Sequence, residues 1–295
     1  MIDIAMFDAV NSSEGRYKPY LIQLPAAVTT SRQAAAAAAA AAVLEGLHAD
    51  AVTEIKPALA TYLAKIPDDE AKSNGIKLGE AIAARMLEAR SKDGANAPDT
   101  YRPRTSAGVY VATQTTVLPM WPGVKPFAMS SAAQFRPAGP IPLNSEEWAA
   151  DFNEIKDYGG SSSVKRSSRQ TEDARFWFIT GAQSIHPLAR QLVVAKKMDV
   201  IDSARFMALV SVAAADAYIA VMDAKYFYEF WRPITAIRNG DIDDNAATER
   251  DPAWQPLGAT PMHPEYPCST TASKARRLQR SPKSSWAVPT FRNPS

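Results

Sequence analysis

The feature that most constrains the fold is the run DSARFMALVSVAAADAYIAVMDAKYFYEF, residues 202–230. Its Ala-rich centre favours a helix, and small side chains there let a neighbouring helix approach closely, the property of a central helix in a bundle. Asp216 sits among those alanines, where an acid more often holds an arginine or a backbone group than carries out chemistry. Arg232-Pro233 is expected to end the helix, because proline disfavours helical geometry in the residue before it.

The rest of the chain reads as helical too, with no convincing alternating strands, so the expected fold class is all-α. Residues 31–47, SRQAAAAAAAAAVLEGL, have Ser31 as an N-cap and a strong alanine propensity. Residues 68–93 open with Asp68, Asp69 and Glu70, which suit a helix N-terminus. They then place Ile76, Gly79, Ile82, Ala83, Met86 and Leu87 on one face, and Gly94 is expected to stop the helix. Residues 95–143 hold eight prolines and must form a long irregular segment. Its aromatics, Tyr101, Tyr110, Trp121, Phe127 and Phe135, are expected to pack against the body. Asn144 with Glu147 predicts a capping box for the helix NSEEWAADFNEIKDYG. TEDARFWFITGAQSIHPLARQLVVAKKM is a further helical stretch, expected to break near Gly181 and Pro187.

At 295 residues the chain can bury a core in one large domain or two smaller ones, and 46% hydrophobic with 22% charged residues is globular composition. The net charge of +2 hides an asymmetry: Lys274, Arg276, Arg277, Arg280, Lys283 and Arg292, with no acid after Cys268, give the tail +6 and leave −4 for the rest. A basic tail can be a nucleic-acid or membrane arm, but no basic helix, RNA-binding aromatic signature or zinc-finger spacing supports a nucleic-acid partner. Cys268 is the sole cysteine, so there is no disulfide framework and no thiolate metal site, and no metal is expected. No apolar stretch is expected to reach the roughly 20 residues of a membrane span. The opening MIDIAMFDAV reads like the middle of a helix, so an N-terminal segment is expected to be missing. The absence of a signal peptide therefore leaves the compartment open.

KYFYEFWRP, Lys225 to Pro233, is where chemistry concentrates. Lys225 and Arg232 are seven residues apart, about two turns of helix, so both can point to one side near its C-terminal end. Two fixed cations beside an aromatic wall suit a buried tetrahedral oxyanion, Arg as a planar fork and Lys as a point charge. Charged residues more often sit on a solvated face, and spacing alone leaves both readings open.

The segments KYFYEFWRPITAIR, ATERDPAWQPL and TPMHPEYPC, in that order, closely resemble the vanadium-dependent haloperoxidases of the phosphatidic acid phosphatase type 2 superfamily. AMFDAVNSSEGRYKPYL, GVYVAT, VKPFAM, QFRP, DFNEIKDYGG and QTEDARFW resemble the same family, so the resemblance runs from Met1 to Pro267. It implies a mostly α-helical bundle of the haloperoxidase and acid phosphatase type around a vanadate cofactor, with hydrogen peroxide and halide as partners. Lys225 matches the residue that polarises the peroxo group, and Lys225 and Arg232 match ligands of the oxyanion, vanadate or phosphate. Residues 1–267 are then an incomplete haloperoxidase-like domain lacking its C-terminal helices, and 268–295 a basic, Ser-rich, disordered tail.

The family next requires a Pro-Ser-Gly-His or Pro-Cys-Ala-His element, whose His is the acid–base group, and later an Arg and a vanadium-ligating His. Pro267 and Cys268 match its start, but Thr270 stands where that His belongs, and the histidines are His48, His186 and His263 alone. Thr270 cannot act as an acid–base group near neutral pH; His263 reads as a loop histidine held by hydrogen bonds. A change of reading frame after Cys268 would account for this: His-Cys-Ile written CAC TGC ATC, read one base late, gives the string Thr271-Ala272-Ser273. The expectation is a chain of haloperoxidase lineage without activity. The alternatives are a phosphatase using the same pocket, and a non-catalytic helical binding or assembly protein. Apolar faces left uncovered would favour a homo-oligomer.

Overall fold

Alanine and buried acids together build the helical framework of this computed structural model, which describes residues 1–178 and 182–267. Among the described residues there are nine α-helices and no β-strand, only the isolated bridges Val109–Phe230 and Gly160–Pro256. The all-α expectation holds. The chain divides into two compact units: Met1–Arg102, Thr116–Arg136 and Gly181–Tyr226 form the first, Pro103–Thr115, Pro137–Thr180 and the residues from Phe227 on the second.

In the first unit, α1 (Ile2–Glu14), α2 (Arg32–Leu47), α3 (Val52–Leu63) and α4 (Glu70–Arg90) precede the irregular segment, and α7 (Ala182–Ala195) and most of α8 (Val200–Tyr228) follow it. Ser31 caps α2 as expected, its Oγ accepting from the Ala34 N–H at 3.3 Å. The polyalanine face of α2 lies against α4. A methyl group at Gly79 would sit 2.3 Å from the Ala35 carbonyl oxygen, so the absence of a side chain there is what permits the approach. Ile4, Phe7 and Val10 of α1, Ala35, Ala39 and Val43 of α2, and Leu78, Ile82 and Met86 of α4 form the main core, which Ile201 and Ala208 of α8 join.

Two buried carboxylates pin irregular chain to these helices. Asp8 of α1 accepts the backbone N–H groups of Tyr20, Leu21 and Ile22 at 2.8, 2.9 and 3.1 Å. Asp216 of α8 accepts those of Phe127, Ala128 and Met129 at 2.6, 2.7 and 2.8 Å, the backbone role expected of it. Asp223, two helical turns on, accepts from Nε and Nη2 along one guanidinium edge of Arg136 at 2.7 and 2.9 Å.

Several element ends differ from expectation. α4 stops at Arg90, short of Gly94, because the buried Arg90 side chain turns to Asp93 at 2.9 Å and to the Lys125 carbonyl at 2.6 Å. The segment 95–143 is irregular apart from short 3₁₀ turns at Trp121–Gly123 and Ala132–Phe135. Of its aromatics Tyr110 is buried and Tyr101, Trp121 and Phe127 half-buried, but Phe135 is 56% exposed, because Ala132 is the residue of that turn that enters the core. Pro187 lies inside α7, where its position in the second turn gives up a single helical hydrogen bond. α8, 29 residues long, is long and apolar enough to cross a membrane by length and composition, which the sequence expectation did not anticipate. It carries buried Asp216, Asp223 and Lys225, and its Ile201 and Ala208 join the main core.

The second unit holds α5 (Glu146–Gly159), α6 (Ser168–Phe176) and α9 (Pro233–Arg238), and α5 and α9 pack on an aromatic core. The N-cap of α5 is Ser145, not Asn144: the Ser145 Oγ accepts from the Trp148 N–H at 3.1 Å while donating to the Pro142 carbonyl at 2.7 Å. Trp148, Phe152, Trp231, Ile237 and Trp254 make up the core, with Trp148 stacked on Trp231 at 5.9 Å. The Trp148 indole N–H donates to the buried Asp243 at 2.8 Å. The expected tail, 268–295, lies outside the described residues.

Candidate functional site

The aromatic run after Lys225 does not continue the helix. α8 ends at Tyr228, and Glu229 takes the left-handed conformation (φ +48°), turning the chain out of the helical path. Side chain and backbone both hold that turn: the Glu229 carboxylate pairs with Arg104 at 2.8 Å, and its carbonyl accepts the Tyr110 N–H at 2.6 Å. Phe230 and Trp231 then run beside Gly108–Tyr110, the Trp231 N–H donating to the Gly108 carbonyl at 2.9 Å. Arg232 is extended (φ −83°, ψ 153°) and caps α9, whose first residue is Pro233. Proline fits there because the first turn of a helix has no use for its missing N–H.

The two-turn argument is therefore corrected. Lys225 lies on α8 in the first unit, and Arg232 lies beyond the end of α8, in the second. Pro233 opens a helix where the sequence expectation had it closing one. Lys225 is 1% exposed, so the alternative of a solvated surface lysine does not apply.

Arg232 is 7% exposed, and its guanidinium is gripped from one short loop. Its Nε–H donates to the His263 carbonyl at 2.6 Å, Nη2 faces His263 Nδ1 at 2.7 Å, and Nη1 donates to the Glu265 carboxylate. Guanidinium nitrogens only donate, so Nδ1 would have to accept in that contact, whereas the Pro264 carbonyl 3.0 Å from the same Nδ1 would need it to donate, and the tautomer decides between the two. The loop is itself anchored, by the Glu265 N–H on the Phe230 carbonyl at 2.9 Å and by the Tyr266 hydroxyl on the Ala138 carbonyl at 2.7 Å. His263 is the hydrogen-bonded loop histidine expected from the sequence. Glu265 was not foreseen; the signal for it is the alternation His-Pro-Glu, since Pro264 favours extended chain and extended chain puts residues 263 and 265 on one side.

Tyr110, 2% exposed, stands close enough to Arg232 to feel its charge. Burial pushes its phenol above the ordinary value, with the Arg232 cation pulling the other way, so the ring carries a proton at neutral pH. The same unit holds a cavity of about 320 Å³ lined by Thr105, Ser106, Val111, Trp231, Thr235 and Asn239 among others, without an acid or base in its wall. Among the described residues no group of three or more His, Cys, Asp or Glu side chains is placed to hold a metal ion. An oxyanion makes a different demand, for cationic and N–H donors, and Arg232 is such a donor.

Residues 205–280 match the family described as VCPO second helical-bundle domain, a range that includes Lys225, Arg232, His263 and Glu265 and runs past Cys268. The vanadium chloroperoxidase of Curvularia inaequalis is 32% identical over 129 residues, which cover 36% of this chain and 20% of that protein. The chain thus matches about a fifth of the length of that relative. A crystal structure of a bacterial vanadium-dependent iodoperoxidase aligns with TM-score 0.69 and 24% identity, over 90% of this chain and 69% of the other. The holo form of a bacterial vanadium-dependent chloroperoxidase aligns with TM-score 0.62 and 18% identity, over 95% and 75%. The structural likenesses carry the fold, and the sequence matches carry similarity to part of a vanadium chloroperoxidase, centred on its second helical-bundle domain.

Proposed function

Given that similarity, we propose that Arg232 and Lys225 are oxyanion-binding residues of a vanadate-type site, and that the polypeptide as written does not complete a haloperoxidase. The observation that carries the first half is the fixed guanidinium of Arg232, buried and oriented by His263 and Glu265. Immobilising an arginine in advance removes the rotamer entropy that an oxyanion would otherwise have to overcome on binding. Lys225, equally buried, would add a compact positive charge. Bound vanadate supplies the Lewis acidity that activates hydrogen peroxide toward halide; phosphate, of similar shape and charge, draws on the same donors. The protein's part is to hold the anion, exclude water and move a proton.

The last of these is what the sequence lacks. Thr270, outside the described residues, stands where the family has its acid–base histidine. A threonine hydroxyl does not exchange a proton at a useful rate near neutral pH. A frame change after Cys268 remains our account of the tail, although the family match running on to residue 280 reaches into that stretch. Re-reading the source DNA across the Cys268 codon decides it: a one- or two-base correction that restores histidine at position 270 supports a damaged haloperoxidase gene.

For the protein itself, titration calorimetry of the full chain with orthovanadate is expected to detect weak binding that Arg232→Ala abolishes and Lys225→Ala weakens. Bromide oxidation with peroxide is expected to stay at the level without protein. Turnover by the wild-type chain would overturn the second half of the proposal. Binding that neither substitution changes would overturn the first and favour the non-catalytic binding-protein reading.

A further inference from the structure

Trp231 carries a buried donor that the described residues do not answer. The residue is 1% exposed, and its indole N–H has no hydrogen-bond partner among them. Buried polar groups in folded proteins are ordinarily paired, so an orphan of this kind calls for an acceptor from outside the chain. The ring is held where it stands: it stacks on Trp148 at 5.9 Å, and its backbone N–H donates to the Gly108 carbonyl at 2.9 Å. The same residue lines the cavity of about 320 Å³ in this unit. That volume lies at the small end of the range for small-molecule sites, roughly 300–1,000 Å³.

The wall of the cavity defines what fits. Val111 and Ile242 give it apolar sides, and Thr235 and Asn239 give it polar groups. The Asn239 side-chain amide donates to the Thr235 carbonyl at 2.7 Å, which fixes the carboxamide and leaves its Oδ1 without a donor among the described residues. An unanswered donor on Trp231 and an unanswered acceptor on Asn239, lining one cavity, complement an amide group. No acidic or basic side chain is part of the wall, so a charged ligand would lose its hydration there without a counter-ion. We infer that this cavity is a binding site for a small, uncharged ring compound of the lactam type. The lactam carbonyl accepts from the Trp231 indole N–H, and the lactam N–H donates to Asn239 Oδ1. Neither Lys225 nor Arg232 takes part, so the site is independent of the oxyanion reading above.

Calorimetry of the full chain at neutral pH tests this with carbostyril, a neutral bicyclic lactam, and with quinaldate, which has the same two rings and a negative charge. Wild type is expected to bind carbostyril more tightly than quinaldate by roughly tenfold or more. N-methylcarbostyril keeps the carbonyl and lacks the N–H; it probes Asn239 without any substitution and is expected to bind roughly tenfold more weakly than carbostyril. Trp231→Phe keeps an aromatic ring for Trp148 and removes the indole N–H, and is expected to weaken carbostyril binding by a similar factor. Thr235→Leu fills the cavity from α9 and is expected to abolish binding, with circular dichroism and cooperative unfolding showing that each variant is folded. The inference is overturned if wild type does not bind carbostyril, or if folded Thr235→Leu or Trp231→Phe binds it as wild type does. Equal affinity for carbostyril and its N-methyl derivative would overturn it without recourse to a variant. Quinaldate bound as tightly as carbostyril would also overturn it, since a wall without charge cannot account for that result.

Discussion

Single side chains in this protein do their work by answering backbone groups that no regular structure satisfies. Asp216 is the clearest case: one carboxylate oxygen accepts the Phe127 N–H and the other those of Ala128 and Met129. Each of these is a charge-assisted bond in a site where Asp216 is 4% exposed, and an unanswered buried N–H costs about 1–3 kcal/mol. Asp216→Ala is expected to destabilise the first unit by roughly 3 kcal/mol or more, read as a lowered midpoint in urea. Asp216→Asn should be nearly as damaging, because its amide nitrogen would face a donor at one of the two sides. An Asn variant as stable as wild type would mean that shape, not acceptor count, is what Asp216 provides. The role of Asp216 was legible in the sequence, since an acid flanked by alanines on a central helix needs an internal partner. Glu265 was not, because a loop acid has no periodicity to betray it; its importance comes from Arg232, which sits 33 residues away. His263 was legible as held but not as holding.

At the scale of elements, the sequence is informative about where helices run and poor at where they end. Alanine content and end caps placed α2 and the start of α4, whereas the ends of α4 and α8 are set by contacts distant in sequence: Arg90 with the Lys125 carbonyl, Glu229 with Arg104 and Tyr110. No local rule reports those partners. The error over α8 had a direct consequence, because it put Arg232 on the wrong element. The pairing of α2 with α4 is a case in which helix propensity misleads about mutation. On an exposed helix glycine-to-alanine is stabilising by about 1 kcal/mol. At Gly79 the new methyl would lie 2.3 Å from the Ala35 carbonyl oxygen and 2.7 Å from the Ala39 nitrogen, both backbone atoms that cannot swing aside. Gly79→Ala is therefore expected to force the two helices apart and to destabilise by about 2 kcal/mol. Thermal unfolding of Gly79→Ala checks the sign, and a raised midpoint would show that the helices are free to separate at little cost.

At the scale of the whole molecule, what matters is apolar surface that this chain does not cover. On α7, Ile185, Leu188 and Leu192 recur at a helical spacing and are 39%, 62% and 50% exposed, and Leu209 of α8 in the same unit is 46% exposed. A net charge of only +2 on 295 residues provides little repulsion between copies. We expect the purified chain to self-associate through the α7 face, seen in sedimentation velocity as a mean mass that rises with concentration. Two origins of such association predict opposite responses to salt. Attraction between the +6 tail of one copy and the −4 remainder of another would weaken as the ionic strength is raised. Burial of Leu188 and Leu192 would persist or strengthen, because it depends on water and not on charge. The double substitution Leu188→Glu with Leu192→Glu is expected to return the protein to monomer with little change in unfolding midpoint, as both side chains already face solvent. A wild-type chain that stays monomeric at every concentration, or a variant that associates as before, would place the exposed leucines outside any contact between copies.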